Sequence, residues 1–346
     1  MSELVATFGR VPTINGHTHV ISETDRLARD LDALSYFAHP YPAADLRSAG
    51  MPHEDLLFVT GDQGNLTVPE RPASPAPLEE RWARFLPWWD RIRFTGFSQC
   101  LLEGWRGAYG FDRLDSTTVG PISDAIRAGR RPGHYAEILR DRANIAVSLV
   151  QMTGTYGEEV ADVDRNLFLP VPRLNRFTMI RSRDDLASLE SDYSTDFRSV
   201  DDLIDTMHSR CAAWKAAGAP EIKLSQSYHR AMDFGTPDPS RAAVVFRQLR
   251  DGQYPGLDTP DGRVLEDVLV HGAVSAVPIN KIIGFGDDLY WVDSILGHLV
   301  MARQNVAHAL AGMMSEGLLT ESDSVEIGRA LFNSNPAALY GISPVR

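Results

Sequence analysis

The sequence predicts an α/β fold in which a parallel sheet is joined through helical crossovers, and three observations predict it. Short apolar runs at 143–151, 167–177, 221–228 and 280–288 are separated by longer stretches with helical periodicity. Parallel strands need such crossovers, whereas a hairpin needs only a tight turn. An earlier run, VPTINGHTHVI at 11–21, reads as a short strand ending in polar side chains. With 346 residues, 43% of them apolar, the chain can build a large core. Barrels of this class routinely exceed the ~150 residues of an average domain, so residues 1–346 read as a single domain.

The elements follow in order. Residues 22–140 hold few strand candidates and alternate charged helical stretches with Pro-rich breaks, as a helical insertion would. NLTVPERPASPAPLEE at 65–80 is a loop by its prolines. Trp82, Phe85, Trp88 and Trp89 then recur at near-helical spacing, although Pro87 disturbs it, and read as a core or lid stripe. After residue 140 the pattern changes. AEILRDR precedes the run ANIAVSLVQ as helix precedes strand. LFLPVPRLNRF is a second run, broken by Pro170 and Pro172. In 199–218, Leu203, Ile204, Met207, Cys211 and Trp214 share one helical face, and Gly218 suits a C-cap. EIKLSQSY (221–228) and NKIIGFGDD (280–288) read as further strands. A long helix from about 291 to 316 places Val292, Ile295, Leu299, Val306, Leu310 and Met313 on its buried side. Thr320 and Asp323 resemble a capping box for a last helix ending before Asn335-Pro336.

Composition excludes several functions. Net charge is −12 and the pI about 5.3, which disfavours a nucleic-acid partner. Arg127, Arg130 and Arg131 form a small basic cluster that reads as a solvated helix end. Two cysteines, Cys100 and Cys211, make no disulfide scaffold and fit a reducing compartment. No apolar stretch approaches the ~18 residues of a membrane span. Met1-Ser2-Glu3 lacks the features of a signal peptide, so a soluble, cytoplasmic protein is expected. Gly-x-Ser-x-Gly, Walker and Cys-x-x-Cys motifs are absent, and Gly284-Phe285-Gly286 lacks the remaining dinucleotide-binding glycine. His298 and His308 lie on the long helix as surface or packing residues, and His134, His208 and His229 have no partner at ligand spacing.

His17-Thr18-His19 is the most informative motif. Positions i and i+2 of a strand point to one face, so two imidazoles there can bind one metal ion. A bare pair also suits two hydrogen-bonded surface histidines. Its place at the end of the first strand, where barrels form their sites, favours the metal.

INGHTHV resembles the first-strand motif of the amidohydrolase superfamily. KIIGFGDD and the helices after it resemble that superfamily's last strand and C-terminus, and EIKLSQSYHRA its mid-barrel strand. The likeness is closest to the branch holding uronate isomerases and the nodulin-like amidohydrolases, and covers 11–21 and most of 140–346. It implies a (β/α)8 TIM-barrel-like α/β fold with a helical insertion at about 22–140. It also implies metal ligation by His17, His19 and Asp288, with Asp288 as general base and Asp287 a weaker candidate facing the other way. Lys223 would bridge or bind substrate, and Tyr228 and Arg230 would contact it. A helix N-cap is the alternative for Asp288, and ion pairing with acids is the alternative for Lys223 and Arg230.

Two departures stand out. Asn15 occupies a position where the family usually has Asp. The interval 230–280 is also too short for three βα units of roughly 30 residues each, so strands 5–7 are expected to be shortened or missing. Within it, VLEDVLVHG at 264–272 reads either as a strand end presenting His271 as a further ligand or as a helix with Leu265, Val268, Leu269 and Gly272 on one face. An incomplete sheet would leave edges exposed, so self-association is expected.

The resemblance implies a divalent metal, zinc by default, and a small polar substrate bearing a carboxylate. Hydrolysis of an amide, lactone or ester by metal-activated water is the leading expectation. Uronate-isomerase-like proton movement, decarboxylation, and a non-catalytic binding protein are the alternatives.

Overall fold

The computed structural model describes residues 2–61, 74, 76–151, 163–225, 230, 238–256, 259–275, 285–315 and 317–343, without the side chains of 271–275. The chain forms two compact units. One comprises Met1–Thr155, Val163–Leu169 and Lys281–Arg346, the other Tyr156–Asp162 and Pro170–Asn280.

The first unit holds the sheet. Strand β1 (Thr13–Thr18) pairs in parallel with β2 (Ile145–Val150), which neighbours β3 (Phe168–Pro170). β2 forms because its apolar, mostly branched residues Ile145, Val147, Leu149 and Val150 are all buried. β3 is only three residues long, shorter than the run at 167–177 suggested, because Pro170 and Pro172 offer no N–H to a ladder. Of the strand expected at 280–288, residues 280–284 lie outside the described residues, and 285–288 form no regular strand. They run beside β1 all the same: Gly16 N donates to Phe285 O at 2.9 Å, and Asp287 N to His17 O at 2.8 Å. Gly286 permits this approach, since a Cβ there would lie 3.1 Å from His17 Cβ and 3.2 Å from His17 N. Asp288 then turns the chain with φ at 56°, which ends the extended geometry.

Between β1 and β2 the chain is helical: α1 (Ser2–Gly9) precedes β1, and α2 (Glu23–Ala28), a 3-10 turn (Ser35–Ala38), α3 (Pro40–Ser48), α4 (His53–Thr60), α5 (Leu78–Ile92), α6 (Gly96–Tyr109), α7 (Val119–Ala128) and a short α8 (His134–Ala136) follow it. α5 continues through Pro87 because its apolar face is buried: Trp82, Phe85, Trp89 and Ile92 pack with Phe37, whose ring lies 4.6 Å from that of Phe85. The aromatic stripe is therefore core.

In the second unit, α9 (Asn175–Thr178), α10 (Arg183–Tyr193), α11 (Val200–Ala216), α12 (Pro239–Arg250) and α13 (Pro260–Ser275) enclose a core that includes Leu203, Met207, Trp214, Phe246, Leu249 and Leu269. Ile204 and Cys211 are only half-buried. The expected strand 221–228 is reduced to one bridge, Lys223 with Arg173, and 226–229 lie outside the described residues. The stretch 264–272 is helix, part of α13, rather than a strand end. Among the described residues no strand lies between Lys223 and Phe285, in keeping with a shortened middle of the sheet.

The long α14 (Val292–Ser315) returns to the first unit and packs on α6 with backbones nearly touching. A Cβ on Gly297 would sit 2.0 Å from Cys100 O and 2.5 Å from Gly104 N, so only glycine fits. Val292, Ile295, Leu299 and Leu310 are buried as the pattern implied, whereas Val306 is half-buried and Met313 exposed. α15 (Glu321–Arg329) starts with the capping box of Thr320 and Asp323. It ends at Arg329, before Asn335-Pro336, but the chain stays helical. A π-helical stretch (Ala330–Ser334) leads into α16 (Asn335–Tyr340), whose first turn tolerates the proline. Among the described residues, no helix is long and apolar enough to cross a membrane.

Candidate metal centre

β1 carries the site because its pairing with β2 is irregular between Asn15 and Thr18. In a regular strand these two side chains would face opposite ways. Here both reach Asp287: the Thr18 hydroxyl donates to Oδ1 at 2.8 Å, and Asn15 Nδ2 donates to Oδ2. An extra residue that re-aims a side chain in this way is the usual work of a bulge. His17 and His19, two positions apart, turn toward Asp288. Their rings meet edge to face with centroids 4.9 Å apart, and each Nε2 lies 3.1 Å from Asp288 Oδ1. The donor atoms of His17, His19 and Asp288 all lie within 4.8 Å of one another.

Asp288 is a non-glycine residue in the left-handed region, a conformation that costs on the order of 1 kcal/mol or more and persists only where neighbours impose it. The amides of Asp287 and Asp288 both donate to His17 O, at 2.8 and 3.3 Å, and pin the turn to β1. Burial raises the Asp288 pKa, but hydrogen bonding to His17, His19 and Tyr41 outweighs it and holds the carboxyl well below its ordinary range. No N-cap role is seen, since α14 begins four residues later, at Val292.

The rest of the setting comes from the helical insertion. The Tyr41 hydroxyl, on α3, donates to Asp288 Oδ2. Its ring stacks on Phe97 at 4.5 Å. His39 caps α3, its Nδ1 accepting from Tyr41 N at 3.4 Å. Burial lowers the His39 pKa from 6.5 to about 4, against the pull of Asp288, so the ring is neutral at pH 7 and free to accept. Tyr290 packs against His39 (4.3 Å) and His19 (6.3 Å). Asp287 is fully buried and accepts a third hydrogen bond from Leu289 N at 2.7 Å. Burial pushes its pKa up to about 7 against those three bonds. At the end of β2, Gln151 N donates to Thr18 O at 2.9 Å. The Gln151 side chain is buried with neither amide atom hydrogen-bonded among the described residues.

The three side chains fit a divalent cation. Two imidazole nitrogens and one carboxylate oxygen are a zinc-type donor set. The 3.1 Å from each nitrogen to the oxygen is close to the edge, about 3.3 Å, of a tetrahedron with bonds of ~2 Å. Among the described residues no other group of three such side chains converges.

The structure thus brings together His17, His19 and Asp288. Lys223, Tyr228, Arg230 and His271 belong to the second unit. Lys223 is half-buried, its backbone bonded to Pro172 O and Leu174 N. Arg230 has a buried guanidinium 2.9 Å from Asp267 and 3.7 Å from Glu266, the ion pairing raised above as its alternative. Tyr228 lies outside the described residues, and His271 lies in α13 with its side chain outside them. His134 has a structural partner the spacing did not reveal: its Nε2 lies 2.7 Å from buried Asp293. His298 is half-buried with Nδ1 3.1 Å from Asp287 O. The sequence reading missed Tyr41, His39 and Gln151. Its one signal was a histidine before Pro40 at a helix start.

No family model matches the chain, and no curated protein matches it. Solved structures do. A uronate isomerase from Thermotoga maritima superposes with a TM-score of 0.70 at 11% identity, covering 98% of this chain and 96% of that one. A glucuronate isomerase from Caulobacter crescentus gives 0.61 at 16% identity, covering 99% and 94%. At such identities the likeness is one of fold. The chain has this TIM-barrel-related α/β fold, mostly helical, around a small parallel sheet.

Proposed function

We propose that the chain is a metal-dependent isomerase of a sugar acid, moving a proton between neighbouring carbons of a hexuronate. The observation that carries this reading is the convergence of His17 Nε2, His19 Nε2 and the Tyr41 hydroxyl on one carboxylate, Asp288. The likeness to two uronate isomerases over nearly the whole chain favours it over the amide, lactone or ester hydrolysis, and the decarboxylation, that the superfamily resemblance also allows.

A divalent cation, zinc by default, would be held by His17, His19 and Asp288, and when bound supplies Lewis-acid polarisation of a carbonyl oxygen. The remaining chemistry belongs to the side chains. Asp288 is held ionised by three hydrogen-bonding partners and is a weak base in that state. A substrate oxygen that takes the Tyr41 hydroxyl frees Asp288 Oδ2 and raises its basicity, because one bond favouring the charged form is lost. The freed carboxylate accepts the proton from the carbon beside the carbonyl and returns it to the neighbouring carbon. Meanwhile the phenol gives its proton to the carbonyl oxygen, where negative charge develops, and takes back the proton of the neighbouring hydroxyl, whose oxygen becomes the new carbonyl. Neutral His39 keeps the start of α3, and so Tyr41, in place. Substrate contact by Lys223, Tyr228 and Arg230, and ligation by His271, belong to the proposal as assignments from the sequence.

The test is incubation of the zinc-loaded protein with D-glucuronate in D2O, followed by NMR. Expected are ketose signals, with deuterium at C1 of the ketose and, through the reverse reaction, at C2 of the remaining glucuronate, and loss of these in the His17→Ala/His19→Ala variant. Tyr41→Phe should lower kcat by about 10²-fold or more, the usual worth of a positioned proton donor. If loaded protein forms no ketose from glucuronate or galacturonate, the isomerase reading fails. Ring opening of a lactone panel would then point to hydrolysis.

A further inference from the structure

We infer that Asp287 is a positioning residue: its carboxylate, paired with the Asn15 amide, holds the following turn so that Asp288 meets His17 and His19. This rests on the metal-binding reading above and adds a device that reading does not need.

Asp287 is 1% exposed, and the hydrogen bonds its carboxylate accepts come from the frame around the site. Oδ2 takes Asn15 Nδ2, from the strand two residues before His17. Oδ1 takes the Thr18 hydroxyl at 2.8 Å, from between the two histidines, and Leu289 N at 2.7 Å, from beyond Asp288. One carboxylate therefore ties together the residues flanking all three candidate ligands. Its own N–H donates to His17 O. Without these ties the turn at Asp288, with φ at 56°, rests on the two amides that donate to His17 O and on the bonds of its own carboxylate.

The pair is directional. Asn15 Nδ2 must donate, to Ser148 Oγ at 3.3 Å as well as to Asp287, while Asp287 must accept from three donors. Asn15→Asp sets two carboxylates face to face in a buried site, where like charges cannot both ionise. Asp287→Asn sets an NH₂ group against the amide of Asn15 or against the Thr18 and Leu289 donors. Exchanging the two together reverses the bond and satisfies it again. The amide at 287 donates across the pair, its oxygen still accepts from Thr18 and Leu289, and the Ser148 hydroxyl rotates to donate to the carboxylate at 15.

The experiment uses the full chain, stripped of metal and titrated with Co²⁺, reading both the affinity and the visible spectrum of the ligand field. Folding of each metal-free variant is followed by circular dichroism. Outer partners of metal ligands typically contribute 10- to 100-fold in affinity. We expect Asn15→Asp and Asp287→Asn each to weaken Co²⁺ binding by about 10-fold or more and to change the spectrum while the fold is retained. The double exchange should return to within about threefold of wild type, with the wild-type spectrum. A merely structural role would shift melting temperature and leave the affinity and spectrum of the folded protein alone. Wild-type affinity in folded Asp287→Asn, or a double exchange no better than the weaker single variant, overturns the inference while leaving the metal site standing. Failure of the wild-type chain to bind Co²⁺ overturns the metal-binding reading itself, and the inference with it. Should a single variant not fold, the double exchange decides: folded with near-native affinity supports the pair, unfolded or cobalt-free refutes it.

Discussion

Replacing Asp293 by Asn should destabilise the unit that carries the candidate site by about 3 kcal/mol, the lower end of what breaking a buried ion pair costs. The figure follows from the surroundings. Asp293 is completely buried in the first turn of α14 and meets Arg26 Nη2 at 3.2 Å, His134 Nε2 at 2.7 Å and the Tyr36 hydroxyl. Burial raises its pKa, but Arg26 and His134 outweigh this and hold it well below the ordinary carboxylate range. A group with a depressed folded pKa contributes stability above its unfolded pKa and loses it only as pH falls through the folded one, so at pH 7 the full contribution is present. Asn can still accept from Tyr36 and, with His134 in the other tautomer, donate to it. What it removes is the charge opposite Arg26, which keeps its bond to Gly129 O at 2.9 Å. The assay is urea unfolding followed by tryptophan fluorescence, with Trp105 and Trp291 ring centroids 5.8 and 5.5 Å from that of Tyr36 as local reporters. Arg26→Met should cost a similar amount, and the double variant should cost less than the sum by at least about 1 kcal/mol, because contacting residues couple. A loss under about 1 kcal/mol for Asp293→Asn, or strict additivity with Arg26→Met, would refute the reasoning.

Two further predictions concern groups near the candidate site. Burial lowers the His39 pKa from 6.5 to about 4, so the unfolded chain binds the proton first and metal-free protein should lose stability as pH falls from 6.5 toward 4. The loss is at most about 3 kcal/mol, at 1.36 kcal/mol per unit. His39→Asn, which keeps a capping acceptor, should flatten this slope in urea midpoints at pH 7 and pH 5, and an unchanged slope would count against it. Gln151→Met should raise the melting temperature of the metal-free protein, because it removes a buried amide with both polar atoms unpaired among the described residues. Such a group costs about 1–3 kcal/mol, and a fall in melting temperature by calorimetry would show that the amide has a partner after all.

Much of the candidate site was legible because its logic is local. His17 and His19 share a face through the two-residue period of a strand, whereas Asp288 was singled out only through the resemblance of KIIGFGDD to a last barrel strand. Asp287 was expected to face away from its neighbour, and it does. That it faces Asn15 and Thr18 together depends on the irregular pairing with β2, which no pattern in TINGHT announces. Tyr41 was invisible for another reason. A tyrosine on a short helix carries no motif, and only the packing of α3, with Phe97 behind the ring, delivers its hydroxyl to Asp288.

The fold divides along the same line. By itself the sequence determined the helices within 199–218 and from about 291 to 316, the capping box of Thr320 and Asp323, the strand within 143–151 and the histidine pair, because helical period, capping chemistry and strand alternation act between residues a few positions apart. Tertiary structure decided whether an apolar run became a strand at all. The stretch at 264–272 has alternatives that periodicity cannot separate, and the buried core around Leu265 and Leu269 made it helix. Among the described residues the run at 221–228 shows a single bridge, at Lys223, and the prolines after 169 cut β3 to three residues. A strand exists only where another chain segment takes up its N–H and C=O groups, and that partner is chosen by contacts across the whole molecule.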